Sequence, residues 1–346
     1  MICHFDPRPK RLRSSGTLGC NKKSRDVLAP VLILLLLFAA ATTSLRGLDP
    51  DRHISQYAHT AWRLQDGVFS GAPNALAQTT DGYMWIGTDA GLVRFDGVRF
   101  TPWSPPPGEQ LPSSTIYSLL GARDGSLWIG TTEGLSRWSN GRLSNYLNGK
   151  GAIASIIEDH NGTVWMVRVR APDTAGNLCQ VVGNELHCYG TADGVFAPAG
   201  SEAVVEDAFG SLWVGYDTGL LRWKLGASTV YSPNGLKSNA GISGVTSIVA
   251  RPDGSVWVGM GLSGAGLGLE QIVNGKWKPF VTPELDGSTL EVETLFLDRE
   301  DALWVGTLKQ GIYRIYHDKV EHFTSTEGLR EIGFAIFLKI EKVIFG

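Results

Sequence analysis

The sequence predicts an all-β fold, a β-propeller of four-stranded antiparallel blades with six recognisable repeats, on three observations. Six tryptophans, Trp85, Trp128, Trp165, Trp213, Trp257 and Trp304, sit in the near-identical segments MWIGT, LWIGT, VWMVR, LWVGY, VWVGM and LWVGT. Their separations of 43, 37, 48, 44 and 47 residues give a period in the forties, the length of one propeller blade. Glycine, at 43 of 346 residues, far exceeds its usual share of about 7%, which favours short strands joined by tight turns.

Each repeat reads as four strands in order. The first (NALAQTT, IYSLLGAR, IASIIEDH, EAVVEDA, VTSIVARP, VETLFLDR) runs in four repeats into Asp81-Gly82, Asp124-Gly125, Asn161-Gly162 or Asp253-Gly254, pairs that suit a type I′ hairpin turn. The second carries the Trp, followed in five repeats by Gly87, Gly130, Gly215, Gly259 or Gly306. A blade is covered on both faces, so this Gly is expected to admit the next sheet and the Trp to be packing rather than a ligand platform. The third opens at GLVRF, GLSRW, GLLRW or GIYRI, and the fourth ends in an aromatic such as Phe100, Tyr146, Tyr231, Phe280 or Phe323. The segment ISQYAHTAWRLQDGV matches an outer strand without its first three. Residues 54–68 are therefore expected beside the last blade, closing the ring.

The first residues belong to a different regime. Seven Lys and Arg against Asp6 and Asp26 precede VLAPVLILLLLFAAATTS, with small residues at Ala39 and Ala41. That order predicts an export signal over 1–41, cleaved or retained as a signal anchor, and a periplasmic or extracytoplasmic remainder. The remainder holds 24 basic and 32 acidic residues without basic runs, which excludes a nucleic-acid partner. Beyond the leader only Cys179 and Cys188 remain. With Gly183-Asn184 as a two-residue hairpin turn, counting outwards places them opposite one another, within reach of a disulfide; two buried thiols are the alternative.

The recurring DGxLWxGTxxGLxRxxxGxxxxF resembles the bacterial two-component regulator propeller repeat, and YAHTAWRLQDGV resembles the opening of such sensors. The resemblance covers roughly 54–330. It implies a seven-bladed extracytoplasmic sensor propeller of a membrane-bound receptor that has a histidine kinase or diguanylate cyclase as its output. The chain is thus expected to sense a ligand rather than catalyse, without its output domain. The alternatives are a secreted carbohydrate- or protein-binding propeller, and a propeller lyase or dehydrogenase. The tail REIGFAIFLKIEKVIFG has neither Trp nor Asp-Gly, so 331–346 is expected to be an aberrant or truncated start of blade seven. Membrane association through a missing C-terminal part or an uncleaved leader, and a homodimer, are the further expectations.

No catalytic constellation, metal site or cofactor is expected. The seven histidines show no metal spacing, and the G-x-G-x-x-G at Gly259 opens a strand rather than a helix, so it lacks the dipole that holds a pyrophosphate. The ligand is expected to be a small molecule or oligosaccharide on the face carrying the loops between second and third strands. Arg168 and Arg170 alternate with Val167 and Val169 as the chain enters an insertion containing Asp173. An unpaired guanidinium inside a blade is costly, so both are expected at the rim or beside the channel, holding a ligand or an internal salt bridge to Asp173. Glu133 and Asp217, in equivalent turns, are expected on the same face.

Overall fold

The structure, a computed structural model, describes residues 67–327 apart from 147–150, 170–175, 196–199, 201, 226, 234, 237–243 and 318. The leader, the closing segment 54–66, the tail 331–346, Arg170 and Asp173 lie outside these residues.

Six four-stranded antiparallel sheets, at 73–103, 116–146, 152–189, 203–231, 245–279 and 292–323, form the six blades of a β-propeller. Every sheet is a meander in which each strand pairs with the next in sequence. The first strands are innermost and pack against one another in chain order. Apolar layers fill the gaps between successive blades; Ala77, Trp85 and Leu92 of blade one, for example, meet Ile116, Leu127 and Ile129 of blade two. All six repeat tryptophans are buried, each at most 9% exposed, and all but Trp304 lie within these layers.

The glycine after the Trp admits the neighbouring blade. A Cβ on Gly87 would stand 2.5 Å from Ile116 Cγ2, and one on Gly215 would stand 2.6 Å from Val245 Cγ1.

The inner hairpins differ from the expected type I′. Gly82, Gly125, Gly162 and Gly254 have positive φ, but the residue before each does not. Instead the Gly amide donates to the carbonyl three residues back, as from Gly162 to Asp159 at 3.0 Å. The turn is type I followed by a left-handed residue, a G1-bulge hairpin. In blade six Asp301 takes the left-handed position with φ 68°.

A second bulge lies where each inner strand begins. The register skips Asn74, Tyr117, Ala154, Thr246 and Glu293 in blades one, two, three, five and six. In blade four Glu202 occupies the equivalent place, just before the Ala203 to Gly215 pair. A bulge re-aims a side chain that regular alternation would direct at a neighbouring sheet.

Candidate functional site

These bulges build the mouth of the central channel. A cavity of about 290 Å³ is lined by Asn74 of blade one, Ala154 and Ser155 of blade three, Glu202 of blade four, Thr246 and Ser247 of blade five, and Glu293 and Thr294 of blade six. Most of the neutral polar groups are committed to holding blades together. The Thr246 hydroxyl donates to Val292 O at 2.7 Å, Ser247 Oγ accepts from Leu295 N at 2.9 Å, and Asn74 Nδ2 donates to Ile116 O at 3.1 Å.

The two glutamates are different. Among the described residues neither carboxylate has a hydrogen-bond or ion-pair partner, and both sit above the usual carboxylate range. Burial raises Glu202 most, and the charges of Asp217 and Glu293 add to it. Burial also raises Glu293, with Glu291 contributing. The mouth therefore offers two poorly solvated acceptors among neutral polar groups, an arrangement suited to a ligand that donates hydrogen bonds or carries positive charge. Among the described residues, no three His, Cys, Asp or Glu side chains converge to hold a metal ion.

Of the residues singled out in the sequence, Asp217 reaches this neighbourhood. It lies against Gly200 and Gly244, its charge acts on Glu202, and burial raises its own carboxyl. Glu133 is exposed in the equivalent turn of blade two, and its amide donates to Thr131 Oγ1 at 3.1 Å. Arg168, expected at the rim or beside the channel, is 0% exposed. Its Nη2 donates to Gly176 O at 2.5 Å and its amide to Asn177 O at 2.9 Å, so it anchors the return of the insertion. Cys179 and Cys188 face each other across the third and fourth strands of blade three and form a disulfide. Sequence reading missed Glu202 and Glu293. Their signal was an acid just before the small residue that pairs with the blade's Gly, in SEA and VET.

A third recurring element lies on the opposite face. The indole N–H groups of Trp165, Trp213 and Trp304 donate at 2.8–2.9 Å to Asp159, Asp207 and Asp298, each six residues earlier, and Trp85 donates likewise to Thr79 at 3.0 Å. The third-strand arginines Arg137, Arg222 and Arg314 stack over the Trp of their own blade.

The two-component regulator propeller repeat is present in the chain, its family model matching residues 110–133. No curated protein matches in sequence. Among solved structures, one described as the extracellular domain of a hybrid two-component system from B. thetaiotaomicron superposes with TM-score 0.60 at 16% identity, over 76% of this chain and 37% of that one. A catalytically inactive virginiamycin B lyase from Staphylococcus aureus, in which one histidine is replaced by alanine, was solved with quinupristin. It gives TM-score 0.59 at 15% identity, over 76% of this chain and 88% of that one. PorZ, a surface component of the type-IX secretion system of Porphyromonas gingivalis, gives 0.56 at 15% identity, over 76% and 43%. This chain thus spans little more than a third of the sensor domain, and at these identities the likeness is one of fold.

Proposed function

We propose that this two-component regulator propeller is the extracytoplasmic ligand-sensing region of a bacterial phosphorelay receptor, and that its ligand binds at the mouth of the central channel. The matched repeat supports the receptor assignment. The observation that carries the site is the pair of unpartnered carboxylates, Glu202 and Glu293, in a cavity shared by inner strands of five blades. A ligand seated there touches several blades at once, so binding energy acts on their relative positions rather than on one loop. Sugar hydroxyls or an ammonium group would give each carboxylate the donor it lacks, with Asp217 reinforcing the negative field. An oligosaccharide or amino sugar fits this chemistry.

A lyase reading is less well supported. The staphylococcal lyase shares the fold alone, at 15% identity, and carries no residue role over to this chain. The test is a thermal-shift screen of neutral and amino oligosaccharides against the exported protein, followed by calorimetry and product analysis. The expected result is a ligand recovered unchanged whose affinity falls at least tenfold in both Glu202→Ala and Glu293→Ala. A confirmed ligand bound equally well by both variants overturns the site, and cleavage of that ligand overturns the non-catalytic assignment.

A further inference from the structure

Blade five breaks the tryptophan clamp of its neighbours. Six residues before Trp257, where blades three, four and six have an aspartate, stands Arg251. Opposite Trp257 on the third strand, where blades one, two, four and six have arginine, stands Gln271. The positive charge has moved to the turn and the carboxylate has gone. As a result Trp257, 3% exposed, has a buried indole N–H with no hydrogen-bond partner. A buried donor left without an acceptor is costly, so the position calls for an explanation.

Blade four shows what is missing. There one oxygen of Asp207 accepts from Trp213 Nε1 at 2.9 Å and from Arg222 Nε at 3.1 Å, and Arg222 Nη2 lies 2.9 Å from it. Blade five has the indole, but at the place of that aspartate it has Arg251 and no carboxylate. Both Trp257 and Arg251 line a cavity of about 540 Å³ between blades five and six, where Gln271, Lys278 and Tyr316 are also found. Arg251 is paired with Asp301 of blade six, and its side chain is 25% exposed.

We propose that this cavity is a second ligand site, for a small carboxylic acid whose carboxylate takes the place that Asp207 fills in blade four. It accepts from Arg251, whose side chain swings from Asp301 to the incoming acid, and from the Trp257 indole N–H, which that swing has to uncover because the atom is buried. Lys278 lies at the exposed side of the cavity and adds a second positive charge. Glu300 and Asp301, both in the lining, disfavour polyanions and restrict the site to acids with one carboxylate. The site faces the opposite end of the blades from the channel mouth and does not depend on the function proposed for it.

Indole resonances of protein labelled with ¹⁵N-tryptophan test this at constant ionic strength, with Trp257 assigned from Trp257→Phe. Acetate and glucuronate are the two probes, separating a bare carboxylate from a sugar acid. The expected result is a saturable shift of the Trp257 signal with at least one probe, the other indoles staying in place. Arg251→Asp restores the internal clamp, so it should abolish the shift and raise the melting temperature. Lys278→Ala should keep the fold and weaken binding severalfold. A Trp257 signal that moves no more than the other indoles with both probes overturns the proposal, as does a shift of full size in Arg251→Asp.

Discussion

Asp207 concentrates in one side chain what holds an inner hairpin to its blade. One oxygen accepts the amides of Phe209 and Ser211, the other the Trp213 indole and the Arg222 guanidinium. Burial pushes this carboxyl up, but those donors outweigh it and its pKa lies below the ordinary value. A depressed carboxyl stabilises the fold above its unfolded pKa, and that stability disappears as pH falls through the lower folded value. Asp207→Ala is therefore expected to cost about 3 kcal/mol at pH 7, and less as the solution becomes strongly acidic, both read from urea melts. Asp253→Ala, at an exposed turn tip where only Ser255 is held, should cost under about 1 kcal/mol; equal losses in the two variants would refute the clamp. The sequence displays the turn-tip Asp-Gly pairs plainly and hides the clamp, because Thr79, Ala122 and Arg251 interrupt the series of aspartates. A hydrogen bond between residues six apart shows only once the type I turn and its bulge set the register.

At the scale of the strand, the contact between blades explains both what was legible and what was not. The repeated Trp-x-Gly announced a sheet approached closely on one face, and at Gly215 the neighbour is Val245, whose Cγ1 and Cβ would lie 2.6 and 3.0 Å from an added methyl. Val245 is β-branched and 1% exposed, so it cannot swing away. Gly215→Ala is expected to destabilise by about 2 kcal/mol through overpacking. Adding Val245→Ala should recover part of that loss rather than sum with it, a coupling that a double-mutant cycle of melting experiments measures. Strictly additive losses would place the strain elsewhere. Counting outwards from Gly183-Asn184 likewise gives the pairing of Cys179 with Cys188 that the strands adopt, because a hairpin with a two-residue turn has only one register. The fate of Arg168 could not be counted in this way. Its burial depends on the chain returning at Gly176 and Asn177, a path that strand alternation does not encode.

Across the whole molecule, the period of the repeat reveals the blades and the loop face, while the channel is set by a detail that the period does not carry. Alternation assigns inner-strand residues to one neighbouring sheet or the other; the bulge before Ala203, Thr294 and their equivalents exempts one residue per blade, which is how Glu202 and Glu293 come to line the channel mouth. Their raised pKa values set the sign of a final prediction. A carboxyl whose folded pKa exceeds its unfolded value makes no demand on the fold while protonated, below about pH 4.5 for glutamate. As pH rises, the unfolded chain ionises first, so stability is lost until the folded group ionises as well. The double variant Glu202→Gln, Glu293→Gln should therefore melt higher than the wild type at pH 7 and no higher at pH 4. A ligand that supplies donors to these carboxylates favours their ionised form, so its affinity for the wild type should rise as the pH is raised above the ordinary glutamate range, and its affinity for the double variant should stay flat. A melting difference that is constant from pH 4 to pH 8 would show that the two carboxyls are not held above their ordinary range, and with that the mouth would lose its claim to be an unsatisfied acceptor site.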